Sequence, residues 1–182
     1  MAHTRVNPDS FRDPLSLAEG RFWLATGAMV LGNLLLPLAL HQIPDGGRMF
    51  QPIFFFTLVA GWRFGAQAGL LTALVSPLAN HFLTGLPPFA LVPDLVLQSA
   101  LLGALASLAA VRHPRPTVAL LALVVFLHQL LCLPAATITA GGKACLDLVR
   151  LHLPGIVLQV LGGCVVLRGL ARYRRPSPNR EG

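Results

Sequence analysis

Charge is what this sequence has least of: only 12% of its 182 residues are Asp, Glu, Lys or Arg, against about 25% in an ordinary soluble domain. A chain so poor in charge and 54% hydrophobic does not clothe a soluble globule. The composition excludes that class and predicts an all-α integral membrane protein. Cysteine is scarce as well. Cys132, Cys145 and Cys164 fall in no C-x-x-C or other ligand spacing, so neither a zinc site nor a disulfide framework follows, and the redox compartment stays open. Also missing are an H-E-x-x-H helix, a nucleophile elbow, an acidic metal-binding repeat and a nucleotide-binding loop. The chain is therefore read as no enzyme and as carrying no cofactor, and any ATP that serves it is hydrolysed by a partner. Basic patches interleaved with aromatics are lacking, so the net charge of +7 does not point to nucleic acid. The leading "MAHTRVNPDSFRDPLSLAEGR" is polar and has no small-residue cleavage site after it, so the first apolar run is expected to be retained as an anchor.

What is present is a series of apolar runs, at about 22–42, 49–63, 66–84, 90–111, 116–137 and 151–170, each closed by a breaker such as "PDGGR", "WRFG", "TGLPP", "RHPRP" or "TAGGK". The 17 glycines and 15 prolines are spread through them, as membrane helices tolerate. Six spans form a bundle with both termini on one side: a cytoplasmic segment 1–21, a membrane domain 22–170 and a basic cytoplasmic tail 171–182. Basic residues agree. With the N-terminus cytoplasmic, the outer side holds only Arg48, Lys143 and Arg150 of the 14 Lys and Arg.

The second run is too short. From Pro52 to Trp62 it is as apolar as a span but stops at Arg63, and roughly 14 helical residues cover about 21 Å of a ~30 Å hydrocarbon core. Arg63 is expected to anchor an inner hairpin turn by snorkelling to the headgroups. The polar loop "HQIPDGGRMFQP" must then dip to meet the helix, and irregular backbone at depth is tolerated only where protein buries it or water fills a cavity. The sequence thus predicts a cavity open to the outside and roofed by residues 42–51.

Polar side chains crowd toward the same end. Asn80 and His81 lie near the outer end of the third run, Asp94 and Gln98 near that of the fourth, His128 and Gln129 in the outer half of the fifth, and Gln159 at a similar level in the sixth, with Asp147, Arg150 and His152 above it. Asp94 and Gln98, four residues apart, share one helix face. Together with Arg48 and Gln51 of the loop, these nine candidates (Arg48, Gln51, Asn80, His81, Asp94, Gln98, His128, Gln129 and Gln159) suit a small polar ligand reached from outside. Plainer roles fit too: Asp94 follows Pro93 at a helix start, where capping and the helix dipole favour a carboxylate, and Asn80, His81, Arg150 and His152 suit a solvated interface. On the first helix Ala25, Ala28 and Gly32 form a small-residue stripe for close helix packing, within the bundle or against a partner.

One stretch carries a family resemblance. Pro52 with its apolar run, Ala60-Gly61-x-x-x-Gly65-x-x-x-Gly69, Ser76-Pro77-Leu78 and Thr84-Gly85-Leu86-Pro87-Pro88 resemble the central signature of the S components, the substrate-binding subunits of energy-coupling factor (ECF) vitamin transporters, and the layout agrees over residues 22–170. The resemblance implies a multi-pass protein of the bacterial inner membrane that captures a water-soluble vitamin or precursor from outside. It also implies docking through the first helix, at Ala25, Ala28 and Gly32, onto a transmembrane coupling subunit driven by two ATPase subunits. Related sequences often carry a glutamate early in the fourth helix, where this chain has Asp94. A second reading is a haem- or quinone-binding membrane anchor of a redox complex, since His41, His81 and His152 all fall near one face and paired imidazoles are what axial ligation demands.

Overall fold

Among the described residues, three helical stretches are long and apolar enough to cross a bilayer: Gly20–Leu40, Phe89–Arg112 and Arg150–Arg172. They belong to a computed structural model that describes residues 11–140 and 142–173, with the side chains of 133–149 and 173 outside the description. The elements are α1 (Gly20–Leu40), α2 (Gly46–Phe50), a 3-10 turn (Pro52–Phe54) running into α3 (Phe55–Phe64), α4 (Ala66–Thr84), and a second 3-10 turn (Phe89–Leu91) leading into α5 (Val92–Arg112). Then follow α6 (Val118–Ala140), α7 (Gly142–Val157), a π-helical segment (Leu158–Gly162) and α8 (Gly163–Tyr173). No strand occurs among the described residues. The sixth apolar run, expected at 151–170, is the middle of a longer rod that begins at Gly142, and Pro154 is accommodated inside it.

The short helix α3 is deeply enclosed. Eight of the ten residues of α3, from Phe55 through Arg63 with Phe56 excepted, are buried, and α1, α4, α5 and α8 all pack on it. A helix apolar on every side belongs in a core, so the half-length run is the axis of the bundle and the longer helices wrap it. Glycines let them approach. Gly61 of α3, Gly69 of α4 and Gly103 of α5 meet backbone to backbone: a Cβ on Gly69 would lie 2.9 Å from Gly61 Cα, and one on Gly103 would lie 3.2 Å from the Gly69 carbonyl carbon. Gly65, at φ +95°, ends α3 and starts α4 in a single residue, a conformation that only glycine enters freely.

Arg63 does not snorkel. It is 3% exposed, because the chain ahead of α1 folds over the α3–α4 turn: Asp13 N–H donates to Arg63 O at 2.7 Å and Leu15 N–H to Phe64 O at 3.1 Å. Those are carbonyls that the last turn of a helix leaves unpaired. Leu15 and Phe22 pack with Ala68 in a small second core beside them.

A polar knot ties α1 to α3 and α4. Asn33 Nδ2 donates to Thr57 Oγ1 and to Ser76 Oγ, each at 3.1 Å, while its Oδ1 accepts Phe56 N–H at 3.0 Å. Asn80 Nδ2 donates to Asn33 O at 2.9 Å. Phe56 lies in the first turn of α3, so Asn33 supplies from a neighbouring helix the cap that this turn lacks locally. Outward faces are apolar: Leu24, Leu97, Phe126 and Val165, on four different helices, are largely exposed. A surface of that kind suits hydrocarbon, not water.

Candidate functional site

Above the start of α3 lies a cavity of about 770 Å³. Its depth follows from the shortness of α3: the helices around it continue past its N-terminus, and residues 41–54 fill only part of the space. Residues 41–51 form a lid built on two left-handed turns, at Asp45 (φ 55°) and Gln51 (φ 46°), that bracket α2. The lid leans on α7, where Gly155 leaves room for the carbonyls of Phe50 and Met49, 2.7 and 2.9 Å from where its Cβ would stand.

Gln51 ties the lid to the bundle. Gln129 Nε2 of α6 donates to Gln51 Oε1 at 3.0 Å, and Gln51 Nε2 donates to His152 Nδ1 of α7 at 2.9 Å. The arrangement assigns the His152 tautomer, since an amide N–H pointing at Nδ1 makes that nitrogen the acceptor and puts the proton on Nε2. The positive φ of Gln51 costs roughly 1–3 kcal/mol for a non-glycine residue, and the two side-chain bonds hold it there. Gln51, Gln129 and His152 all line the cavity.

Across from them, Gln98 Nε2 donates to Asp94 Oδ2 at 2.7 Å, the pair sharing one face of α5 in its first two turns. Asp94 stands in the first turn of α5, whose N-cap position, Leu91, has no capping side chain. Asn80 completes this wall from α4, its amide already committed to Asn33 O and Ser76 O. Arg48 projects from the lid and is exposed, with no salt bridge among the described residues. Six of the nine candidates, Arg48, Gln51, Asn80, Asp94, Gln98 and Gln129, therefore line one cavity together with apolar Pro52, Phe54 and Leu95.

The other three stand behind it. His81 Nδ1 donates to Pro87 O at 2.9 Å and its ring meets Phe82 and Phe89, so it supports the rim loop from outside. His128 is buried directly beneath the floor: its Nε2 donates to Gln98 O at 3.1 Å, its ring meets that of Phe54 edge-on at 5.5 Å, and Cys132 Sγ is 3.6 Å away. Because Nε2 carries the proton, Nδ1 is an acceptor, and it has no partner among the described residues. Gln159 lies in the π segment at 0% exposure with both amide atoms unpartnered. A buried amide without partners costs on the order of 1–3 kcal/mol. Gln159→Leu is accordingly expected to raise stability by about 1–2 kcal/mol, read as a higher unfolding temperature in detergent, and an unchanged or lower temperature would show that the amide is engaged.

The remaining candidates are dispersed. His41 and His152 line the cavity, whereas His81 does not. On α1 the small-residue stripe is divided: Ala28 is exposed, Ala25 packs toward the second core, and a Cβ on Gly32 would stand 2.7 Å from the Phe56 ring. Arg150 is exposed. The side chains of Lys143, Cys145 and Asp147 lie outside the described residues, and among those described no group of three or more His, Cys, Asp or Glu is placed to hold a metal ion. Asn33, the centre of the polar knot, was not among the candidates; the signal was a lone amide in mid-helix, in "VLGNLLLP". Cys132 also lines the cavity, although no ligand spacing marks it in the sequence. No family model, no curated protein and no solved structure matches the chain.

Proposed function

We propose that this chain is the substrate-capturing membrane subunit of an ECF-type importer, taking a small water-soluble vitamin or precursor from outside the bacterial inner membrane. In this reading six helices cross the bilayer with both termini cytoplasmic, α3 serving as the short central one. Ala28 with the apolar face of α1 then docks on a transmembrane coupling subunit, and partner ATPase subunits supply the energy. The observation that carries it is the single-ended cavity over the N-terminus of α3, covered by a lid whose position depends on Gln51. Its volume falls within the roughly 300–1,000 Å³ of small-molecule sites, and its wall is mostly apolar with a few convergent polar groups, as such sites require. Below the floor the core is closed by Phe54, Leu58 and Trp62, which suits capture from one side and not conduction through the bundle.

Mass spectrometry of small molecules extracted from the purified, detergent-solubilised protein tests the reading. A polar compound near one per chain, depleted at least tenfold by Asp94→Ala, is the expected result. Haem or a quinone in its place would transfer the chain to the redox-anchor class, and an empty wild-type protein would overturn capture altogether.

A further inference from the structure

The cavity holds opposite charges that do not meet. Asp94 stands on the α5 wall and Arg48 on the lid, both exposed to the same space, yet no salt bridge joins them; the Arg21–Asp13 bridge lies at the α3–α4-turn end of the molecule. Asp45, one turn before Arg48, adds a second carboxylate at the lid's own start. Charges facing a largely apolar cavity attract more strongly than they do in bulk water. Held apart by the fold and open to solvent, the two groups are each available to a counter-charge on a ligand.

Asp94 is fixed in its orientation. Gln98 donates to one carboxylate oxygen at 2.7 Å, leaving the other free to accept, and the Gln98 main chain is in turn held from behind by His128 Nε2. Arg48 carries a planar donor array matched to a carboxylate or phosphate, on an element bracketed by left-handed residues and pinned at Gln51. Between these poles the wall is Pro52, Phe54 and Leu95, a surface for an apolar or aromatic body.

Resting on the capture reading above, we infer that the ligand is amphoteric. It presents a cationic amine or amidine-like group to Asp94 and Gln98, an acidic group to Arg48, and an apolar body to the Phe54 floor between them. A purely anionic ligand would meet two carboxylates, and a purely cationic one would leave Arg48 without a counter-charge under a closed lid.

The test uses the full-length protein purified from cells. The bound compound is extracted and analysed in both ion modes before and after amine-selective and carboxyl-selective derivatisation. Its occupancy is compared across wild type, Asp94→Asn and Arg48→Gln, with unfolding temperature as the check on folding. The expected compound reacts in both derivatisations or carries a phosphate beside a base, and each variant loses at least tenfold in occupancy while unfolding within a few degrees of wild type. A compound bearing only one sign of charge, or full occupancy in Arg48→Gln, overturns the amphoteric assignment and leaves capture standing. Absence of any stoichiometric compound from wild type removes the capture reading itself.

Discussion

Gly61→Ala is expected to be among the most damaging single substitutions in the molecule, destabilising it by about 3 kcal/mol, near the top of the range for overpacking. The obstacle is main chain. A Cβ at Gly61 overlaps the Gly103 carbonyl oxygen and lies 3.0 Å from its carbon, and no rotamer change relieves a clash with backbone. Relief requires α3 and α5 to separate, and that separation would loosen Gly69 against both. Gly27→Ala is the internal comparison: its added methyl meets nothing within 4 Å, and replacing a mid-helix glycine favours the helix by roughly 0.5–1 kcal/mol. Thermal unfolding of the two variants in the same detergent decides the matter. Equal behaviour would mean that the three helices do not cross where Gly61, Gly69 and Gly103 place them.

Asn33→Leu is the second large effect. The substitution keeps the branched shape of the side chain, with somewhat more bulk, and removes three hydrogen bonds. Their loss is unequal. Thr57 Oγ1 retains its contact to Ile53 O at 3.4 Å, and the Ser76 hydroxyl rotates toward a carbonyl one turn back in its own helix, as serines in helices do. Phe56 N–H has less recourse, since it lies where the 3-10 turn becomes α3 and Pro52 O, four residues back, already accepts Phe55 N–H. Side-chain bonds between membrane helices average about 0.6 kcal/mol, whereas an orphaned buried donor costs about 1–3 kcal/mol. The expected total is near 3 kcal/mol, dominated by Phe56, with faster amide exchange at Phe56 as its local signature. A loss under about 0.5 kcal/mol together with unchanged exchange would show that α1 is held by its apolar contacts alone.

Helix positions were legible in the sequence because apolar runs and their breakers act locally: "WRFG" and "TGLPP" end helices wherever they stand. The same holds for Asp94 and Gln98, since four residues along a helix is one face. The short run at 52–62 was also visible, and it correctly pointed to open space above it. Its place at the centre was not, because burial on all sides is a property of the neighbours. Arg63 misled for a related reason: at the end of an apolar run an arginine reads as a headgroup anchor, and only the fold brings residues 13–15 over it. Gly103 sits in "LLGALASLAA", a stretch featureless until α3 and α4 present glycines at the same height. Depth along a helix was readable for His128 and Gln159, but not the direction in which each side chain turns.

The π segment at 158–162 joins two halves of one helix that face different neighbours. Helical residues succeed one another by about 100° around the axis, and a π turn takes in one residue more than an α turn. Upstream, α7 is oriented by His152 toward Gln51 and by Gly155 against the lid carbonyls. Downstream, α8 is oriented by Arg168 and Cys164 toward Pro116 O and by Gly163 on Leu58. The wide turn between them takes up one surplus residue while both halves keep these neighbours. Deleting one residue there would restore regular winding with both halves still facing their partners, whereas a deletion elsewhere in the rod would swing one half by about 100°, so this continuous helix keeps its slack at one place.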